Sequence, residues 1–161
     1  MIGQWFSNMY VVKKIGFEDV KVLMTTSTSK QELYNKSSVK VPYDSAFHSK
    51  TFSMDNCILI NTLLSDEQHC LIRGTLPASL EEKTINDLLD KNEIHQQRIV
   101  VYGKNCVDES AERKAKQLMS LGFSEVFLYV GGMFEWMLLQ DIYGESEFPT
   151  TSKVLDILKY R

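Results

Sequence analysis

Three apolar runs, each separated from the next by residues with helical spacing, constrain the fold of this chain more than any other feature. The runs are Cys57–Asn61, Arg98–Tyr102 and residues 125–130. Each is a nearly continuous stretch of apolar residues. It lacks the alternation of apolar and polar residues that marks a strand with one solvent-exposed face. Continuous runs of this length are typical of strands that are buried on both faces of a sheet.

The segments around these runs carry apolar residues at helical spacing. Residues 16–24, 81–90 and 108–121 each place an apolar stripe on one face, and a further apolar helix follows Gly131 and Gly132. Ser79 is the predicted N-cap of the second of these helices. Strands that alternate with helices predict βαβ units with right-handed crossovers. The sequence therefore predicts an α/β fold with a parallel central sheet and helices on both faces.

The chain of 161 residues has the length of one domain, so we expect a single domain over residues 1–161 with its core at about 15–143. Residues 25–55 are rich in Ser, Thr and Lys, which predicts a long and partly disordered insertion. Residues 144–161 form a C-terminal extension. We predict that its helical apolar stripe docks on this domain rather than on a partner; the stripe consists of Val154, Leu155 and Leu158.

Charge and hydropathy exclude two classes of function. The chain has 18 basic and 21 acidic residues, a net charge of -3, whereas binding to nucleic acid needs clustered positive charge. No apolar run approaches the roughly 20 residues that span a bilayer, and residues 1–10 lack the features of a signal peptide. We therefore expect no nucleic-acid or membrane partner and an intracellular, cytoplasmic location.

Cysteine and histidine spacing indicates neither disulfides nor a metal site. The three cysteines are an odd number without a pairing pattern, which is typical of a reducing compartment. A tetrahedral metal site needs four converging ligands, and the candidate residues are scattered along the chain. Gly131 and Gly132 do not form a dinucleotide fingerprint. We expect no metal and no cofactor. The residues concerned are Cys57, Cys70, Cys106, His48, His69 and His95.

Several segments together resemble the rhodanese-like (sulfurtransferase) domain family. They are the strand at residues 99–102, the Leu-Gly-Phe that closes a helix at residues 121–123, and the strand, Gly-Gly and helical Trp of residues 126–136. The resemblance covers roughly residues 15–143 and is strongest over 98–136. It implies the family's α/β fold around a parallel sheet.

In active rhodaneses the catalytic cysteine is the first residue after the central strand. Loop amides and a helix N-terminus converge there and stabilise a thiolate, a persulfide or an oxyanion. In this chain that position is Gly103, so the resemblance implies a member that has lost its nucleophile. We call residues 103–110 the cradle loop; it consists of Gly103, Lys104, Asn105, Cys106, Val107, Asp108, Glu109 and Ser110.

Cys106 offers an alternative nucleophile, with Arg113 as its anion-binding partner. Six residues separate the two, one more than in the Cys-x5-Arg pattern of phosphatases. Asp108 and Glu109 are expected to cap the free amides at the helix start and to repel an anionic substrate. The leading hypothesis is a non-catalytic module for protein binding, regulation or assembly with an unidentified protein partner. The alternative is a sulfurtransferase or phosphatase-like enzyme that uses Cys106; the resemblance also makes virion association conceivable.

Overall fold

The computed structural model describes residues 10–25 and 57–161. Within them four strands and four helices follow one another along the chain. Two short 3-10 turns, Ser65–Glu67 and Ile157–Tyr160, complete the set. The elements are β1 (Lys13–Ile15), α1 (residues 17–25), β2 (Cys57–Asn61), α2 (Ala78–Asp90), β3 (Arg98–Tyr102), α3 (Ser110–Ser120), β4 (Glu125–Tyr129) and α4 (Gly132–Tyr143).

All four strands form one parallel sheet in the order β1-β4-β3-β2. β3 lies inside the sheet, where Val100 pairs with Leu59 of β2 and with Phe127 of β4. Because parallel neighbours need crossovers, the helices must cover the faces of the sheet. This confirms the predicted α/β fold, and β2 and β3 have the predicted bounds.

The two faces of the sheet bury separate cores. On β3, Ile99 and Val101 face the core under α2 and α3, whereas Val100 and Tyr102 face the core under α1 and α4. All four side chains are fully buried, which explains why the run is continuously apolar rather than alternating. The prediction of helices on both faces is therefore confirmed.

The starts of α2 and α3 differ from the sequence prediction. α2 begins at Ala78, so that Ser79 lies inside the helix and Pro77 is the N-cap. The fixed φ of proline prepares the chain for a helix without a hydroxyl cap, and the prediction for Ser79 was wrong. α3 begins at Ser110 rather than at 108, since the side chain of Asp108 is engaged in the preceding loop.

The C-terminal segment, residues 148–161, packs back on α4 and the sheet. Phe148 and Tyr160 are almost fully buried there, and Ile72 forms an antiparallel bridge with Thr150. The segment thus docks on this domain, but through Phe148, Thr150 and Tyr160 and not through the predicted stripe. The predicted helical stripe is wrong, because only a single 3-10 turn forms, and Leu155 and Leu158 are 90% and 63% exposed.

The predicted insertion at residues 25–55 lies outside the described residues, apart from residue 25. Among the residues that the structure does describe, none belongs to a helix long and apolar enough to cross a membrane.

Phe148 supplies a direct test of whether the C-terminal segment belongs to the core. Its ring contacts Trp136 and Phe17, with centroids 5.1 and 5.7 Å away. We expect Phe148→Ala to lower the free energy of unfolding by about 3–5 kcal/mol, measured by urea denaturation. Leu155→Ala, on the same segment but exposed, should change it by no more than about 0.5 kcal/mol. Equal effects of the two variants would show that the segment is not core.

Candidate functional site

The cradle loop follows β3 at the carboxyl edge of the sheet, which is where open parallel sheets bind ligands. It borders a small cavity of about 80 Å³, whose other walls come from Ala111 and Glu112 on α3, from the end of β4 and from Lys14 on β1. Gly103, the first residue of the cradle loop, is buried. The site is therefore narrow, and what it can bind depends on the atoms that already fill the loop.

The N-terminus of α4 holds the first part of the loop in place. The amides of Met133 and Phe134 donate to the carbonyls of Gly103 and Lys104, at 3.0 and 2.9 Å. Gly132 has a φ of +64°, and a Cβ there would lie 2.6 Å from the Gly103 oxygen. Position 132 thus requires glycine on two grounds, its backbone conformation and this close approach.

Asp108 fills the inside of the loop. Its Oδ2 accepts a hydrogen bond from the Lys104 amide at 3.0 Å, and its Oδ1 accepts one from the Ser110 amide at 2.9 Å. One carboxylate therefore joins the beginning of the loop to the start of α3. Without the Asp108 carboxylate, the loop that contains these amides would be able to surround an anionic ligand.

The carboxylate of Asp108 also closes the space beside Gly103. A Cβ on Gly103 would lie 2.6 Å from Asp108 Oδ2 and 3.2 Å from Thr62 Oγ1. No side chain fits at position 103 unless Asp108 moves. The predicted capping by Asp108 is confirmed by its bond to Ser110 N. The same prediction for Glu109 was wrong, because Glu109 is the N-cap residue but its exposed side chain makes no capping hydrogen bond.

Asn105 fixes the far side of the loop. Its Oδ1 accepts from the Val107 amide and its Nδ2 donates to the Tyr160 carbonyl, both at 3.1 Å. Its own carbonyl accepts from the Asp108 amide at 3.3 Å. The loop is therefore tied to the C-terminal segment. Sequence reasoning did not assign this role to Asn105, although an Asn that bonds a backbone amide two residues on is a common turn device.

The loop after β2 closes the remaining side of the site. Thr62 Oγ1 lies 2.7 Å from Ser110 Oγ, and the Thr62 amide donates to the Tyr102 carbonyl at 3.0 Å. The ammonium of Lys104 forms an ion pair with Glu67 at 2.7 Å. The cation of the cradle loop is thus directed to a carboxylate of its own chain.

A comparison with known families identifies this architecture. The family model described as "Rhodanese-like domain" matches residues 64–139, a range that includes the cradle loop, β3, β4 and most of α4. The chain contains a rhodanese-like domain. No curated protein matches the chain.

Among solved structures, the chain is similar to two of Ygr203w from the yeast Saccharomyces cerevisiae. One is titled a homolog of single-domain rhodanese and Cdc25 phosphatase catalytic domain; it is 13% identical, with 91% of each chain covered and a TM-score of 0.48. The other is titled a yeast protein tyrosine phosphatase of the Rhodanese family; it is 14% identical, with 93% of this chain and 97% of that chain covered and a TM-score of 0.47.

The two residues of the alternative catalytic pair differ in their relation to the cavity of this rhodanese-like domain. Cys106 is exposed at the tip of the cradle loop and borders the small cavity, whereas Arg113 does not line it. Arg113 is exposed on α3, and its amide donates to the Glu109 carbonyl as part of the helix start. Within the described residues no hydrogen bond joins the Cys106 thiol to the Arg113 guanidinium.

The electrostatics of the loop favour an ionised Asp108. Partial burial acts to raise the pKa of this carboxyl, but the hydrogen bonds from the Lys104 amide and from Ser110, together with the Arg113 charge, outweigh it. The pKa of Asp108 is therefore held below its ordinary value. Near neutral pH the cradle loop of this rhodanese-like domain contains a fixed negative charge.

Asp108→Asn tests this arrangement through pH. A carboxyl with a lowered folded pKa stabilises the protein above its unfolded pKa of about 3.9, and this contribution disappears as pH falls through the folded pKa. We expect the variant to be less stable than wild type by about 1 kcal/mol at pH 7, the size of a lost cap. The difference should begin to shrink as pH falls below about 4 and disappear only below the lowered folded pKa, measured by urea denaturation at each pH.

Glu109→Gln is the matched control, since it alters an adjacent exposed carboxylate without a capping bond. It should stay within about 0.5 kcal/mol of wild type at both pH values. A pH-independent loss in Asp108→Asn would contradict the assignment of the effect to the charge of Asp108.

The three thiols differ in access, which labelling can measure. Cys106 is exposed, whereas Cys70 is buried and its Sγ donates to the Ser152 carbonyl. Burial raises the pKa of Cys57 to about 11, which leaves little thiolate at pH 8. We expect iodoacetamide to modify the native protein once, at Cys106, and the unfolded protein three times, as read by intact mass. Early modification of Cys70 would contradict its placement in the core.

Proposed function

We propose that this rhodanese-like domain is a non-catalytic module that acts in protein binding, regulation or assembly. The observation that carries the proposal is the carboxylate of Asp108 inside the cradle loop. It accepts the Lys104 and Ser110 amides and lies beside Gly103, the position that the family resemblance assigns to the nucleophile. A carboxylate of the chain itself thus stands where a persulfide or an oxyanion would need amides and positive charge.

Two further features support a loop without catalysis. The cation of the cradle loop, Lys104, is paired with Glu67, so its charge is already compensated by a carboxylate of the chain. The loop is also immobilised from three sides, by α4, by Thr62 and by the Tyr160 carbonyl. A tightly held loop with its own anion is suited to a fixed contact surface rather than to substrate turnover.

The carboxyl edge of the sheet offers side chains that suit contact with a protein. Val107 on the cradle loop is 80% exposed, and Leu64 on the neighbouring loop after β2 is 67% exposed. Apolar side chains at the tips of adjacent loops are the type of group that a partner covers. We also infer an intracellular, cytoplasmic site of action, since the three cysteines are unpaired.

One observation favours the alternative, a sulfurtransferase or phosphatase-like enzyme that uses Cys106. The thiol is exposed and borders the cavity beside the loop. Its neighbours weaken this reading, because the carboxylates of Asp108 and Glu109 are two and three residues away and repel an anionic substrate. We therefore retain it as the second candidate.

Sulfur transfer from thiosulfate to cyanide, assayed beside hydrolysis of an aryl phosphate, separates the two candidates. We expect wild type and Cys106→Ala to show the same background rate in both assays. Gly103→Cys alone should also stay at background, because the new side chain meets Asp108 Oδ2 and the negative charge remains. Circular dichroism checks that each variant is folded.

Two outcomes would contradict the proposal. Turnover in wild type that disappears in Cys106→Ala would establish the enzyme. Strong sulfur transfer by Gly103→Cys alone would show that Asp108 does not block the cradle. Gly103→Cys with Asp108→Ala serves as the companion variant, since it removes the collision and the charge together while the rest of the loop is unchanged.

A further inference from the structure

The C-terminal segment, residues 148–161, is attached to the domain unevenly along its length. Its first part, residues 148–152, is hydrogen-bonded to the loop after β2; for example, the Thr151 amide donates to the Leu71 carbonyl at 2.8 Å. The ring of Phe148 in this part is almost fully buried. Residues 148–152 are therefore a fixed component of the core.

The last part of the segment, residues 153–161, has far fewer attachments, and we call it the latch. Among the described residues, one hydrogen bond joins it to the rest of the domain, from Asn105 Nδ2 to the Tyr160 carbonyl at 3.1 Å. Its other hydrogen bonds lie within its single 3-10 turn. Tyr160 is its one buried residue, whereas Val154 and Ile157 are half-buried. The latch thus depends mainly on one ring and one hydrogen bond, both of the same residue.

Tyr160 anchors the latch incompletely. Burial of its ring favours the position seen in the structure. Its hydroxyl is buried as well, however, and has no hydrogen-bond partner within residues 10–25 and 57–161. A hydroxyl that loses water without gaining a partner costs free energy, and it regains water as soon as the ring leaves the core. The hydroxyl therefore opposes the burial of the ring that carries it.

The same residue connects the latch to the cradle loop. The side chain of Asn105 donates to the Tyr160 carbonyl through Nδ2 and accepts the Val107 amide through Oδ1, both at 3.1 Å. The two bonds use the two ends of one amide group, so together they fix its orientation. When Tyr160 leaves, Nδ2 loses its acceptor and the amide group is free to turn away from Val107. The position of the latch therefore affects the exposed tip of the cradle loop.

We propose that the latch opens and closes as a unit in the folded protein, and that the closed latch fixes the tip of the cradle loop. Local opening is expected where few apolar groups are buried and few hydrogen bonds are made. The buried hydroxyl of Tyr160 shifts the balance towards opening, because it destabilises only the closed position. Coupling between two sites is reciprocal, so a protein that binds the fixed loop tip also favours the closed latch; this consequence alone rests on the proposed function.

Amide hydrogen exchange of the full chain, followed residue by residue by NMR, tests the proposal. In wild type we expect the amides of Lys159 and Arg161, which bond within the turn, to exchange at least about 100-fold faster than those of β3. Tyr160→Phe removes the unpartnered hydroxyl and keeps the ring. It should slow both turn amides about fivefold or more, and the Val107 amide in parallel. Tyr143→Phe is the matched control, since it removes a hydroxyl from a residue that is 62% exposed; it should change none of these rates.

Asn105→Ala tests the connection from the side of the loop. It removes the hydrogen bond that joins the latch to the domain, so the amides of Lys159 and Arg161 should exchange about fivefold faster, although neither is bonded to Asn105. Asn86→Ala, at an exposed position of α2, is its control and should leave both amides unchanged.

Three outcomes would overturn the proposal. Turn amides that exchange as slowly as those of β3 would mean that the latch opens only when the whole domain unfolds. An unchanged Val107 amide in Tyr160→Phe, or unchanged turn amides in Asn105→Ala, would mean that the latch and the loop are not connected. None of these results depends on whether the cradle loop binds a protein or uses Cys106 in catalysis.

Discussion

The bridge that Asp108 makes between the Lys104 amide and the start of α3 is the interaction on which the rest of the site depends. A carboxylate accepts hydrogen bonds strongly from amides at a helix start, and here one side chain holds both ends of a tight loop. Its oxygen then occupies the space in which a Cβ on Gly103 would lie. The lack of a side chain at position 103 and the presence of Asp108 are therefore two aspects of one arrangement.

The turn before α4 is subject to a related constraint. The carbonyls of the cradle loop accept the amides of Met133 and Phe134, so the loop backbone lies directly against the turn. Only glycine at position 132 allows this approach with a positive φ. Gly103, Gly132 and Asp108 thus determine the path of the loop. The N-terminus of α4 could bind an anion, but its amides donate to carbonyls of the cradle loop instead.

The parts of this structure that follow from local pattern could be predicted, and those that depend on distant contacts could not. The bounds of β2 and β3 were predictable because a continuous apolar run of this length is typical of a strand that is buried on both faces of a parallel sheet. The family resemblance assigned Gly103 to the position of the nucleophile, and the loss of catalysis stays a prediction. The bond from Asn105 to the Tyr160 carbonyl joins residues 55 apart, and no sequence periodicity marks such a pair.

In the C-terminal segment, distant contacts override a local sequence pattern. Its residues have helical spacing, and a helix would place Leu155 and Leu158 on one stripe. In the structure, however, the burial of Phe148 and Tyr160 and the bridge between Ile72 and Thr150 determine the path of the segment. Apolar contacts made by a few large side chains outweigh the small free energy of forming a short helix.

The C-terminal segment also helps to position the cradle loop. Tyr160 is buried within the segment's last turn, its hydroxyl has no hydrogen-bond partner among the described residues, and its carbonyl accepts from Asn105. The side chain of Asn105 also accepts the Val107 amide. The burial of Tyr160 therefore helps to fix the exposed Val107, because the side chain of Asn105 bonds to both parts of the chain.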